Sequence, residues 1–215
     1  MRRMLSSLAS LALACFAPAC SNATNTSAGG DAGSDAGNDG AMVATQTFTG
    51  DIAGTDAEIG LVFGGSKGFV FTCGGMMTFS TMTRWYLGNA TLPGPFTFQD
   101  SGWTLTGSVQ ADGVTVTGTI TSADGGAPLS WKATAAGTAT ATGFYAATDS
   151  DGMAALLASQ MTAGGTWDAL GAFHLSAGTI EQIEPLMPIP PGTFRVTVQV
   201  NGQSKQLDMA RATPF

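Results

Sequence analysis

The sequence predicts a mainly β protein, an antiparallel meander that closes into a small barrel, with an open sandwich as the alternative. Three observations lead there. Of 215 residues, 30 are glycine and only 11% are charged, whereas helical surfaces are rich in charged side chains. From residue 43 onward, short runs rich in Thr, Val and Phe are cut by Gly, Asp and Asn roughly ten residues apart. Several runs alternate apolar and polar residues, the period of a strand with one wet face.

Strands are expected over residues 43–50, 56–63, 68–73, 82–87, 96–99, 102–110, 113–121, 129–135 and 143–147. The clearest hairpin alternates Trp103, Leu105 and Val109 on one arm with Val114, Val116 and Ile120 on the other. Asp112-Gly113 between them supplies the positive φ that a tight turn requires. Asp124-Gly125-Gly126 makes the next connection in the same way. Successive hairpins form a meander, and a meander of this length removes its exposed edges by curling closed.

The pattern then changes. Met153, Leu156, Leu157, Gln160 and Met161 fall at helical spacing among alanines, and Ser150 or Asp151 stands where a cap belongs. One short helix is therefore expected over 150–161, followed by a strand over 166–175. The prolines of residues 185–191 make a stiff connector. At the end, Phe194, Val196, Val198 and Val200 alternate, Asn201-Gly202 turns, and residues 203–210 return as a hairpin.

What precedes the meander has the order of an address. Arg2 and Arg3 stand before an apolar stretch at residues 4–16, and Ala17-Pro18-Ala19 supplies small residues before Cys20. The apolar stretch is too short to cross a hydrocarbon core of ~30 Å as a helix. Residues 1–19 thus read as a signal peptide. Ala17-Pro18-Ala19-Cys20 resembles a bacterial lipobox, with Ala17 where leucine is usual. In such a motif the cysteine is diacylated and becomes the new N-terminus, which makes Cys20 the expected lipid attachment and the membrane a partner. Ala12-Leu13-Ala14-Cys15 is a second, shorter candidate. Apart from Cys20, residues 20–41 hold no large apolar side chain, only Ala, Gly, Ser, Thr, Asn and Asp, a composition that cannot offset the entropy of ordering. As a flexible acidic tether it reaches ~25 Å r.m.s.. Residues 42–215 form the β-rich domain. The expected location is the cell envelope, lipid-anchored at the outer membrane or cell surface, or secreted where the cysteine stays unmodified.

Charge excludes one class of partner. Eight basic residues, two of them Arg2 and Arg3, face fifteen acidic ones and nowhere cluster. A surface that neutralises phosphates is missing, so nucleic acid is not expected.

Chemistry-bearing residues are few. Gly64-Gly65-Ser66-Lys67-Gly68 has the spacing of a hydrolase nucleophile elbow, but strand-like residues flank it on both sides where the elbow needs a helix to follow. His174, the only histidine, lies in a strand-like run with no paired nucleophile in view. Asp149-Ser150-Asp151-Gly152 matches half of a calcium loop without its downstream glutamate, and turn and cap explain it without metal. Cys73 reads as a small buried strand residue. Trp85 and Tyr86 are the candidate ligand-binding pair, since aromatic faces line pockets or stack on sugars. No catalytic residue, metal or cofactor is assigned.

Phe48-Thr49-Gly50 followed by Gly54-Thr55-Asp56, then Phe71-Thr72-Cys73-Gly74, the strand at 114–121, and Gly143-Phe144-Tyr145-Ala146 resemble a group of uncharacterised exported bacterial proteins. Those proteins are often lipoproteins and carry short β-rich domains. The resemblance spans about residues 47–147. It implies export and a first β-unit closed by the strand near Tyr145, and the group has no established activity to carry over. The functional expectation is an envelope-tethered, non-catalytic β-domain that binds a ligand or an envelope protein. A structural or assembly component, and a hydrolase using Ser66, are the alternatives.

Overall fold

A computed structural model describes residues 45–137, 141–160, 167–183 and 192–214. The signal segment, Cys15, Cys20, the tether and the proline connector lie outside them. The first eight strands are β1 (Gln46–Ile52), β2 (Glu58–Gly64), β3 (Lys67–Cys73), β4 (Arg84–Asn89), β5 (Phe96–Asp100), β6 (Trp103–Val109), β7 (Thr115–Thr121) and β8 (Leu129–Ala135). Their sheet runs β4-β3-β2-β1-β8-β7-β6-β5. This is a meander bent round until its first strand pairs with its last, Ile52 opposite Trp131 and Phe48 opposite Ala135. The two edge strands, β4 and β5, then lie beside each other without a ladder, and the barrel is nearly closed.

Its interior is packed. Phe48, Ile59, Leu61, Val70, Tyr86 and Leu105 are all essentially inaccessible and belong to one cluster. Trp131 shows how the barrel makes room for its largest ring. Gly107 and Gly118 are cross-strand partners, and a Cβ on either would come within 2.7 and 2.6 Å of the Trp131 ring. The indole lies across the two glycines. Its Nε1 has no hydrogen-bond partner, a cost of about 1–3 kcal/mol that the burial of so large a ring must offset.

A second sheet follows, from β9 (Gly143–Thr148), β10 (Gly152–Gln160), β11 (Trp167–Leu175), β12 (Ile180–Ile183), β13 (Phe194–Val200) and β14 (Gln203–Arg211). The order is β12-β11-β10-β9-β14-β13, and β12 comes round beside β13. The strand near Tyr145 therefore opens a second barrel-like sheet and does not close the first. The expected terminal hairpin is present: φ is 52° at Asn201 and 77° at Gly202, and Phe194, Val196 and Val198 alternate inward. It joins through β14, whose Ala210 and Arg211 pair with Ala146 and Tyr145.

The helix expected over 150–161 is corrected to strand β10. Ala154, Leu156 and Ala158 face the second interior, while Ala155 and Leu157 face the first barrel. A strand buried on both sides has no polar alternation to announce it, and an Ala/Leu run then imitates helical spacing. Pairing with β9 on one side and β11 on the other overrides alanine's helix propensity. Among the described residues the helix is instead α1 (Phe79–Met82), a single turn after β3 whose Met82 carbonyl accepts a 2.5 Å hydrogen bond from Thr72 Oγ1.

The two sheets share a wall. The outward side chains of β2 and β3, Val62, Phe69, Phe71 and Cys73, pack on Phe144, Ala155, Leu157 and Ala172 of the second sheet. Phe144 stands 4.8 Å from Phe69 and 6.0 Å from Phe71, centroid to centroid. Gly60 lets the sheets approach, because a Cβ there would lie 2.2 Å from Leu157 Cδ2 and 3.0 Å from Phe144 Cγ. Each fully buried Phe, Leu or Val contributes about 1.5–3 kcal/mol, so this wall outweighs surface ion pairs such as Arg195–Asp208. Leu157→Ala is expected to lower stability by about 2–5 kcal/mol and Gly60→Val by about 1–3 kcal/mol through overpacking. Denaturant melts followed by tryptophan fluorescence measure both, and wild-type midpoints in both variants would contradict the shared wall.

Candidate functional site

The structure disperses the residues that the sequence singled out. Ser66 sits exposed in the two-residue turn between β2 and β3, where Gly65 takes the positive φ of 60°. A strand follows it, so no elbow or helix N-terminus forms around its hydroxyl. His174 lies exposed on β11 and stacks on Trp85 at 5.2 Å and 24°.

Trp85 and Tyr86 do not make one binding surface. Neighbours on a strand point to opposite faces, and here the faces are different environments. Tyr86 is fully buried inside the first barrel, where desolvation pushes its phenol up. Trp85 points outward between Phe71, at 4.9 Å, and His174. The expectation of a paired aromatic site is corrected to one core ring and one ring in the junction between the sheets.

Cys73 is a free thiol buried in the shared wall, and desolvation pushes it up to about 12. It stays protonated and unreactive at neutral pH. The aspartates of the half calcium loop form a turn that shares one lysine. Asp149 Oδ1 accepts hydrogen bonds from the Asp151 and Gly152 amides at 2.7 and 3.2 Å. Lys205 Nζ stands 2.6 Å from Asp149 Oδ2 and also bridges to Asp151.

The most unusual electrostatic environment lies at the edge of the wall. Asp51 on β1 and Glu58 on β2 are direct cross-strand partners, and Asp168 on β11 comes in from the second sheet to line the same two grooves, of about 440 and 380 Å³. Glu58 is mostly buried. Its carboxyl is pushed up to about 8, first by desolvation and then by the charges of Asp168 and Asp51. Cys73, its partner on β3, is neutral. Lys132 pairs in register with Asp51 on the far side, without an ion pair among the described residues. At neutral pH the Glu58 carboxyl is therefore held mainly in its protonated form. No sequence motif joins these three acids. Glu58, Gly60 and Val62 share the outward face of β2, and the sequence carries no sign that a second sheet covers it.

No family model, curated protein or solved structure matches the chain.

The position of Glu58 gives a stability–pH signature. The folded chain holds this proton up to about pH 8, whereas an unfolded glutamate releases it near 4.5. The stabilisation is thus complete below the unfolded value and is lost as pH rises through the folded one. Unfolding free energy is expected to fall between pH 5 and 8.5 with a slope of up to about 1.4 kcal/mol per pH unit from this group. In Glu58→Gln that component disappears and the variant exceeds the wild type at pH 8.5. Denaturant titrations across this range check it, and parallel curves for the two proteins would refute it.

Proposed function

We propose that this chain is exported, held at the cell envelope by a diacylated Cys20, and serves there as a non-catalytic β-domain that binds a partner on its outer surface. The observation that carries the binding part is the filling of both barrels. Side chains from every strand of the first sheet occupy its interior, and Tyr145, Leu156, Phe173, Val196 and Met209 do the same in the second. Among the described residues the interiors are filled and the space at the mouth of the first barrel is only about 270 Å³, so the larger grooves, along the junction of the sheets, favour recognition on the outside.

The alternatives lose support for separate reasons. Hydrolysis at Ser66 needs a base on its hydroxyl and an oxyanion hole, whereas Ser66 is exposed in a turn that leads straight into a strand. Assembly through strand addition needs room for a new strand beside a sheet edge, and the neighbouring edges of β4 and β5, and of β12 and β13, leave little of it. Export and anchoring rest on the residues before the domain: the positive start, the apolar stretch, the small residues before Cys20 and the apolar-poor tether.

Mass spectrometry of the full chain extracted from its own envelope tests the anchor. A diacylglyceryl adduct on an N-terminal Cys20 is expected, together with release of the Cys20→Ser chain into the soluble fraction. An unmodified mature N-terminus, or a Cys20→Ser chain that remains membrane-bound, would overturn it.

A further inference from the structure

Resting on that outer-surface reading, we propose that the groove at the junction of the two sheets, bordered by Met76 with the exposed Met77 next to it, docks an extended cationic polypeptide segment carrying large apolar side chains. The starting observation is the exposure of two adjacent methionines, 95% and 89%. Scattered exposed apolar residues need no explanation, but these two are displayed by a loop that is tied down. Asp56 holds it: its carbonyl accepts from the Gly75 amide at 3.0 Å, its Oδ2 from the Met77 amide at 2.7 Å, and its Oδ1 from Thr78 Oγ1. Gly74 N–H donates to Thr83 Oγ1 at 3.2 Å. The loop backbone is so close-packed that a Cβ on Gly74 would lie 2.3 Å from the Thr78 backbone, and one on Gly75 2.7 Å from the Asp56 carbonyl. The methionines are therefore presented on a preorganised support, which spares a binding partner the ordering of the loop. Their flexible, polarisable thioethers suit varied apolar side chains.

Charge decides the occupant. Met76 borders the groove of about 380 Å³, whose wall includes Asp51, Asp56, Glu58 and Asp168 and no Lys or Arg. The adjoining groove of about 440 Å³ continues past the same Asp51, Glu58 and Asp168 toward Thr134 and Ser159. An apolar rim over an acidic trough complements a chain that alternates cationic and apolar side chains. An anionic lipid surface would meet repulsion at the same place. Glu58 adds a dependence that mere charge attraction lacks. Desolvation, Asp168 on β11 and Asp51 on β1 hold it protonated, and its β3 neighbour Cys73 is neutral, so the trough gains a negative charge as pH rises through about 8.

The test uses the full chain carrying Cys20→Ser, so that no acyl group interferes. A fluorescein-labelled decapeptide of alternating lysine and leucine is titrated by anisotropy, beside the glutamate–leucine counterpart and phosphatidylglycerol vesicles. The lysine peptide is expected to bind, at least tenfold more weakly to Met76→Ser/Met77→Ser at unchanged Tm. Its affinity is expected to rise several-fold from pH 6.5 to 9, and Glu58→Gln is expected to flatten that rise. Equal binding of the glutamate peptide or the vesicles would overturn the proposal, as would an unaffected methionine variant or no binding at all. A chain that carries the lipid in its native envelope yet ignores the lysine peptide loses this inference alone, and the anchored-domain reading stands.

Discussion

β2 and β3 carry large apolar side chains on their outward faces as well as their inward ones, and the first barrel cannot leave that surface in water. Val62, Phe69, Phe71 and Cys73 must be covered, and the second sheet covers them with Phe144, Ala155, Leu157 and Ala172. The covering is mutual. β9 and β10 also carry apolar residues on both sides, and a six-stranded sheet of this size has little stability to spare without its neighbour. Gly60 lacks a side chain, and Leu157 and Phe144 settle over β2 in the space a Cβ would fill. The architecture follows from this wall: two nearly closed antiparallel sheets, each filled by its own side chains, fused along one dry face.

The groove is a consequence of where that wall ends. Along β2 the outward residues run from Val62 through Gly60 to Glu58, so one strand carries the contact from dry core to acidic margin. Beyond Glu58 the sheets separate, and Asp51, Asp56, Asp168 and the methionine loop border the space. The burial that stabilises the wall also desolvates the Glu58 carboxyl and keeps it neutral. Packing and electrostatics are thus coupled at this one residue.

Strands with a wet face were legible in the sequence. β8 is found at the residues read from its pattern, and β6, β7 and the terminal hairpin at nearly those residues, because alternation and Asp-Gly or Asn-Gly turns state both face and register. Strands buried on both faces were legible only in part. Phe69-Val70-Phe71 is aromatic and β-branched enough to read as a strand, whereas Ala154–Ala158, buried to the same degree, reads as a helix. Ile180–Ile183, four residues long, is too brief to carry a pattern and was not expected. The site was hidden for a different reason. Asp168 joins the cross-strand pair Asp51–Glu58 only because two sheets meet, and nothing local to Asp168 records that contact. Trp85 and Tyr86 drew notice as large aromatics, but the strand that carries them sends one inward and the other to the junction.

The shared wall makes both sheets one cooperative unit, and differential scanning calorimetry of the full chain tests that directly. A single endotherm whose calorimetric and van't Hoff enthalpies agree is the predicted result. Two resolved transitions, with residues 143–211 melting apart from residues 46–135, would contradict it.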